Sequence, residues 1–274
     1  INHASCDAVQ FSHITLAGDL TITAGALSTG SNKNLTVAGI TTIGPDSGAA
    51  DQATLTCNAS TMSLGTGLTS AYALEVTQGG TFVGGTGAHT MGSIKTRDNA
   101  ASKLTMTTGV CTINGENSSA NYNVVIYDDS TFDNADGTIT LTGPSSRIYF
   151  KAGSDPHHLI INNGSATYNL NQATTIEGNL TITAGTLTTL DGVTHNALTV
   201  GSGNLSASLG HVSVSGTLTC NNSVVQVGSI KIESGGTMTA PNNTMTVRSE
   251  SATGYCLENA GTFHHGSNKI DITG

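Results

Sequence analysis

The sequence predicts an all-β fold, a right-handed parallel β-solenoid (β-helix), and three observations carry that expectation. The stretch Gly18-Asp19-Leu20-Thr21-Ile22-Thr23-Ala24-Gly25 returns almost verbatim as Gly178-Asn179-Leu180-Thr181-Ile182-Thr183-Ala184-Gly185, an internal repeat with a period of about 160 residues. Triplets of the form apolar, Thr or Ser, apolar recur along the whole chain between Gly-containing corners. Aromatic residues make up only 4% and charged residues 10%, while 34 of the 274 residues are Gly, which is too lean for a thick globular core. Disorder would explain the lean composition but not the regular return of Leu, Ile and Val. A thin, Thr-coated β structure explains both.

The repeat begins at the first residue. Ile1-Asn2-His3-Ala4-Ser5 lies on Ile161-Asn162-Asn163-Gly164-Ser165 at the same displacement. Downstream the copies stay in step with small insertions, Leu35-Thr36-Val37 matching Leu198-Thr199-Val200, and Thr54-Leu55-Thr56-Cys57-Asn58 matching Thr217-Leu218-Thr219-Cys220-Asn221. A repeat built from short look-alike pieces points to a repeat architecture. With no linker or break in composition, residues 1–274 are expected to form one continuous domain: copy one spans 1–160, copy two spans 161–274 and is incomplete, and the whole is a segment of a longer chain.

Each triplet reads as a strand with one buried face, because alternation of period two sends every second side chain inward. In chain order these include Leu20-Thr21-Ile22, Leu35-Thr36-Val37, Leu55-Thr56-Cys57, Leu74-Glu75-Val76, Leu104-Thr105-Met106, Ile139-Thr140-Leu141, Leu180-Thr181-Ile182, Leu198-Thr199-Val200, Val212-Ser213-Val214, Ile230-Lys231-Ile232 and Met245-Thr246-Val247. The inside set is expected to include Leu20, Ile22, Leu35, Val37, Leu55, Leu180, Ile182, Leu198, Val200 and Leu218, with the intervening Thr outside. Gly25, Gly79-Gly80 and Gly235-Gly236 mark corners. No 3.6-residue period with caps occurs, so essentially no helix is expected. Counting from Leu180 through Leu198, Val212, Ile230 and Met245, strands return at intervals of roughly 14–20 residues, too short for a strand-helix-strand crossover. One such interval per coil, stacked at about 4.8 Å, predicts roughly 15 coils and a body about 70 Å long. Right-handed winding follows from the handedness of parallel connections. An antiparallel sandwich is the alternative, since short Gly-bounded strands are its signature too.

Composition excludes several function classes. A net charge of −9, with nine scattered Lys and Arg, does not suit nucleic acid. No apolar run reaches membrane-spanning length. Among the five cysteines, Cys57, Cys111 and Cys220 share a strand face with apolar neighbours and read as small buried hydrophobes rather than metal ligands or a disulfide framework.

The phrases Leu159-Ile160-Ile161-Asn162-Asn163-Gly164, Gly178-Asn179-Leu180-Thr181-Ile182-Thr183-Ala184-Gly185 and Gly261-Thr262-Phe263 resemble the repeats of large β-solenoid surface proteins, namely phage tail-fibre and virion appendage proteins and filamentous-haemagglutinin-like adhesins. The resemblance spans nearly the whole chain and is specific to architecture. It implies a structural or attachment role and supplies no catalytic residue. The expected function is therefore a non-enzymatic structural or adhesive segment of an extracellular appendage, on a virion or cell surface, as in a phage tail fibre that contacts cell-surface glycan. The alternatives are a tail-spike-like polysaccharide depolymerase, acting as hydrolase or lyase, and a bacterial adhesin or filament subunit. Assembly as a homo-oligomer or larger array is expected, because solenoid ends expose unpaired backbone groups.

Chemistry-bearing residues are densest at Tyr127-Asp128-Asp129-Ser130-Thr131-Phe132-Asp133-Asn134-Ala135-Asp136. Asp128, Asp129, Asp133 and Asp136 could ligate a hard cation such as Ca²⁺, the one cofactor the chain suggests, but their spacing is not that of an EF-hand and a solvated acidic corner is the plainer reading. The carboxylate pair of a glycosidase would have to come from the same stretch or from Asp7, Asp19, Glu75, Glu116 or Asp155. Six of the eleven Tyr and Phe residues fall between Tyr122 and Tyr168, and Tyr122, Tyr127 and Tyr149 are the candidate glycan contacts, against the alternative that this region fills the solenoid. His157-His158 and His264-His265 are neighbours that alternation would send to opposite sides, which disfavours a two-His metal site. A flat array of Thr-x-Thr triplets, such as those at 217–219 and 244–246, is how β-solenoid ice-binding proteins present a surface, a reading that the spacing along this sequence disfavours. Such an array needs one triplet per coil on one face, and the sequence spacing is irregular and interrupted by Glu75, Lys231 and Arg248.

Overall fold

The computed structural model describes residues 1–45, 52–97, 99–127, 129–191, 194–200, 205–214, 217–220, 225–248, 256–266 and 269–273. Among them every regular element is a strand, and the strands wind as a parallel β-solenoid. Two compact units divide at Ile139/Thr140, upstream of the repeat boundary at Ile161.

In the first unit each coil carries three short strands. The second coil contributes Ala24–Ser28, Leu35–Val37 and Thr41–Ile43, the third Ala53–Thr56, Met62–Leu64 and Leu74–Val76, and the fourth Gly80–Val83, His89–Met91 and Ile94–Thr96. Equivalent strands pair in parallel and in register. Leu27 faces Leu55, Leu55 faces Phe82, and Phe82 faces Leu104; on the next face Leu35, Met62, His89 and Cys111 follow one another. These inward residues form continuous columns that, above the half-buried Leu27, are almost wholly removed from water. Each fully buried Leu, Met or Phe contributes about 1.5–3 kcal/mol of hydrophobic stabilisation, the main favourable term for so thin a core.

The predicted inside set is buried throughout except Leu20, which is half-buried on the first coil. Phe11, 84% exposed, lies in the same first coil. Cys57, Cys111 and Cys220 are buried free thiols, and burial pushes Cys111 and Cys220 up to about 12. The sandwich alternative does not hold, because the long ladders are parallel. Antiparallel pairing occurs between Leu190–Asp191 and Thr194–His195 and at a bridge between Asn117 and Tyr122.

The expected coil length needs correction. Leu35 pairs with Met62, Met62 with His89 and His89 with Cys111, so each of these positions marks one full turn, and every such turn is longer than the interval expected from the sequence. Part of that count crossed faces: Leu180 pairs with Leu205 and Leu198 with Leu218, on separate ladders, whereas Val212 pairs with Ile230 directly, so that one step was a true turn. Each face uses the same triplet grammar, so the local pattern cannot distinguish a step around the coil from a step up it. The coils of the first unit are accordingly longer, and the turns fewer, than expected.

The internal repeat survives at atomic detail. In the first unit the pairing of Asn2–Val9 with Ala24–Ser28 skips from Asn2↔Ala24 to Asp7↔Ala26; in the second, that of His158–Leu170 with Leu180–Thr188 skips from Asn162↔Ala184 to Thr167↔Thr186. Both are β-bulges, and they occupy equivalent positions in the two copies. Each closes on a glycine with positive φ, Gly25 at 83° and Gly185 at 98°.

His89 is the one basic side chain in the column from Leu35 to Cys111. It is 2% exposed, its Nε2–H donates to the Gly84 carbonyl at 2.7 Å, its ring meets Phe82 edge-on at 6.2 Å, and its Nδ1 has no hydrogen-bond partner. Burial lowers its pKa from the ordinary 6.5, against the opposing pull of the bonded Gly84 carbonyl and the adjacent Ala88 backbone. The folded state therefore holds His89 neutral, while the unfolded chain protonates it as pH falls through 6.5. Stability is full above that value and is lost progressively below it, down to the depressed folded-state pKa. We expect the thermal midpoint to drop between pH 7.5 and 5, and His89→Met to show a smaller drop; equal pH dependence of the two proteins would refute this role.

Candidate functional site

In the first unit the strands Leu74–Val76, Ile94–Thr96 and Tyr122–Ile126 lie side by side, with Glu75 opposite Lys95 and Lys95 opposite Val125. Alternation places Glu75 and Lys95 on the outward side, since Leu74, Val76, Ile94 and Val124 point into the core. Just before the first of these strands, Tyr72 is buried to 4%, and the Lys95 ammonium stands over its ring, 5.2 Å from the centroid. Such a cation–π contact is worth about 0.5–1 kcal/mol at an exposed site, and more as it is desolvated. Burial pushes the Tyr72 hydroxyl upward, and the nearby Tyr127, Tyr122 and Glu75 push it the same way. Strand register, the Lys95–Tyr72 contact and the bond from Tyr127 to Thr96 put Tyr72, Glu75, Lys95, Tyr122 and Tyr127 in one neighbourhood.

The two outer tyrosines are held by their corners. Tyr127 is 37% exposed, and its N–H donates to Thr96 Oγ1 at 3.0 Å; Ser130 Oγ lies 2.8 Å from the same hydroxyl and donates to the Tyr127 carbonyl at 2.7 Å. Tyr122 opens its strand through the bridge to Asn117, next to Asn121, whose left-handed φ of 60° makes the turn. Beside it the buried Asn123 amide donates to the Gly115 carbonyl at 2.6 Å. The resulting patch presents Tyr122 and Tyr127 beside one carboxylate and one ammonium, with the buried Tyr72 underpinning Lys95, a combination suited to stacking on a sugar ring while bonding its hydroxyls. Tyr122 and Tyr127 were legible in the sequence. Tyr72 and Lys95 were not, because only the coil register brings 72, 95 and 122–127 together.

Tyr149 belongs to the second unit, on Ser146–Phe150, where it alternates outward between the buried Ile148 and Phe150. Phe150 and Tyr168 fill the core there, and the Tyr168 hydroxyl donates to the Gly143 carbonyl at 2.6 Å.

At the acidic corner, Asp128 lies outside the described residues. Asp133 Oδ1 accepts the Ala135 N–H at 2.9 Å, Asn134 Oδ1 accepts the Asp136 N–H at 3.0 Å, and Ala135 and Asp136 both take left-handed φ, 52° and 53°. Turn geometry accounts for these side chains directly. Among the described residues no group of three or more His, Cys, Asp or Glu is arranged to hold a metal ion.

The His157-His158 pair departs from expectation. The rings touch edge to face, with centroids 4.3 Å apart, because His157 precedes the strand that begins at His158 and so escapes its alternation. His158 Nδ1 accepts the Asn179 N–H at 2.8 Å, and His157 Nδ1 lies 3.8 Å from Glu177. Asp155 accepts the Thr175 N–H at 2.7 Å; burial raises its pKa, and Glu177 adds to the rise.

No protein-family model, no curated protein and no solved structure matches the chain.

Proposed function

We propose that this chain is a non-enzymatic structural or adhesive segment of an extracellular appendage, such as a phage tail fibre or other virion surface protein, and that its first unit contacts a cell-surface glycan. The observation that carries the reading is the grouping of Tyr122 and Tyr127 with the Tyr72–Lys95 pair and Glu75 along three adjacent strands of a regular solenoid. A stack of in-register coils provides reach and spacing, and the corner bonds at Thr96, Ser130 and Asn117 hold Tyr127 and Tyr122 in place. Aromatic rings recognise a pyranose by burying its apolar face, and the flanking charged groups select hydroxyl orientation.

The test is a glycan array run beside a polysaccharide-cleavage assay. Binding of the intact chain to a restricted set of glycans, weakened on the order of tenfold by Tyr127→Ala or Tyr122→Ala with circular dichroism unchanged, supports the contact face. Glycan cleavage would replace this reading with that of a depolymerase. Binding indifferent to both substitutions would move the contact elsewhere.

A further inference from the structure

In the second unit the strands Thr174–Ile176, Ala197–Val200, Thr217–Thr219, Thr237–Thr239 and Thr262–His264 form a five-stranded parallel ladder. Its pairings run without a register shift, unlike the bulged ladder beside it. Two columns run up this ladder. One passes through Ala197, Thr217, Thr237 and Thr262, and the other through Thr175, Thr199, Thr219, Thr239 and His264. Leu218 and Met238, between the columns, are fully buried, so Thr217, Thr219, Thr237 and Thr239 stand on the solvent side.

No Asp, Glu, Lys or Arg occurs on any of the five strands. The three charged residues that interrupt the Thr pattern in sequence sort onto other faces. Glu75 belongs to the first unit, opposite Lys95. Lys231 pairs in register with Glu258, to which it is bridged at 3.6 Å, and Arg248 pairs with Thr273.

We propose that this Thr face is an ice-binding surface. Strands about 4.8 Å apart, with outward residues about 6.6 Å apart along each strand, set hydroxyls and methyls on a two-dimensional grid whose spacings approach the oxygen repeats of ice. Thr suits the role because its branched side chain is stiff at χ1, so little rotamer freedom remains to be lost when water orders against it. Each hydroxyl joins the lattice by hydrogen bonds while the neighbouring methyl supports a cage of water. A charged side chain would instead hold its own oriented hydration shell, so a face without charges is required. The function is separate from glycan contact, which the other unit carries.

The experiment measures ice recrystallisation in the presence of the intact chain, together with its partition into a slowly grown ice hemisphere. The wild-type chain is expected to enter the ice and suppress recrystallisation. Thr219→Lys combined with Thr239→Lys should raise the concentration needed on the order of tenfold. Thr90→Lys, on a first-unit strand, should leave activity unchanged. Circular dichroism and melting temperature establish that each variant is folded, and Thr239→Lys alone serves if the double variant melts early. Exclusion of the wild-type chain from ice at the level of an inert control protein overturns the proposal, as does equal activity of wild type and folded Lys variants.

Discussion

Phe82→Ala is expected to lower the unfolding free energy by about 3–5 kcal/mol, the range for emptying a buried aromatic site. The physical reason is the column in which Phe82 stands. It is fully buried, with Leu55 directly below and Leu104 directly above. Strands held by backbone ladders about 4.8 Å apart cannot close around the missing ring, so most of the cavity persists. The ring also forms the edge-on contact with His89, which loses its neighbour in the same step. Urea unfolding followed by circular dichroism measures the effect. Phe263→Ala is the matched comparison, because Phe263 is only half-buried on the Thr262–His264 strand and should lose distinctly less. Equal losses at the two positions would show that column stacking is not what stabilises the first unit.

Gly25→Ala and Gly185→Ala form the second prediction, and the two should behave alike because their surroundings are copies. A Cβ on Gly25 would lie 2.5 Å from the His3 carbonyl oxygen and 2.6 Å from that of Cys6. One on Gly185 would lie 2.3 Å from the Asn163 oxygen and 2.9 Å from that of Ala166, the same two bulge positions in the second copy. Both glycines also hold φ values that L side chains rarely adopt. Backbone strain alone costs about 1–3 kcal/mol, and the clash with rigid carbonyls adds to it. Gly67 separates the two causes: its φ is 76°, but nothing lies within 4 Å of where its Cβ would stand, so Gly67→Ala should show the strain without the clash. Thermal melts of the three variants decide the matter. A Gly25→Ala protein as stable as Gly67→Ala would mean that the bulge is not clasped against the next coil.

The bulge shows how much a single chain can disclose. The internal repeat was plain in the sequence, as was the inward set, because alternation of period two is a local property and burial follows it directly. Leu35, Leu55, Leu180 and Leu218 are inside for that reason. The candidate contact residues Tyr122 and Tyr127 stood out as aromatic residues in an aromatic-poor chain. Their partners Tyr72 and Lys95 carried no comparable signal, since a single Tyr or Lys between apolar triplets is an ordinary solvent-side residue until its neighbour in the next coil is known.

What the sequence by itself determined is therefore the strand grammar, the inward or outward direction of the strand side chains and the internal repeat on which the two bulges fall. Only the tertiary structure decided which triplets share a face. Coil length varies because corners absorb insertions, so that the turn from Leu35 to Met62 takes more chain than the turn from His89 to Cys111. Face assignment depends on the accumulated length of all the corners between two strands, a non-local quantity that backbone pairing resolves and local periodicity does not. The same cause scattered the Thr triplets along the sequence and gathered Thr217, Thr219, Thr237, Thr239 and Thr262 onto one charge-free ladder in the fold.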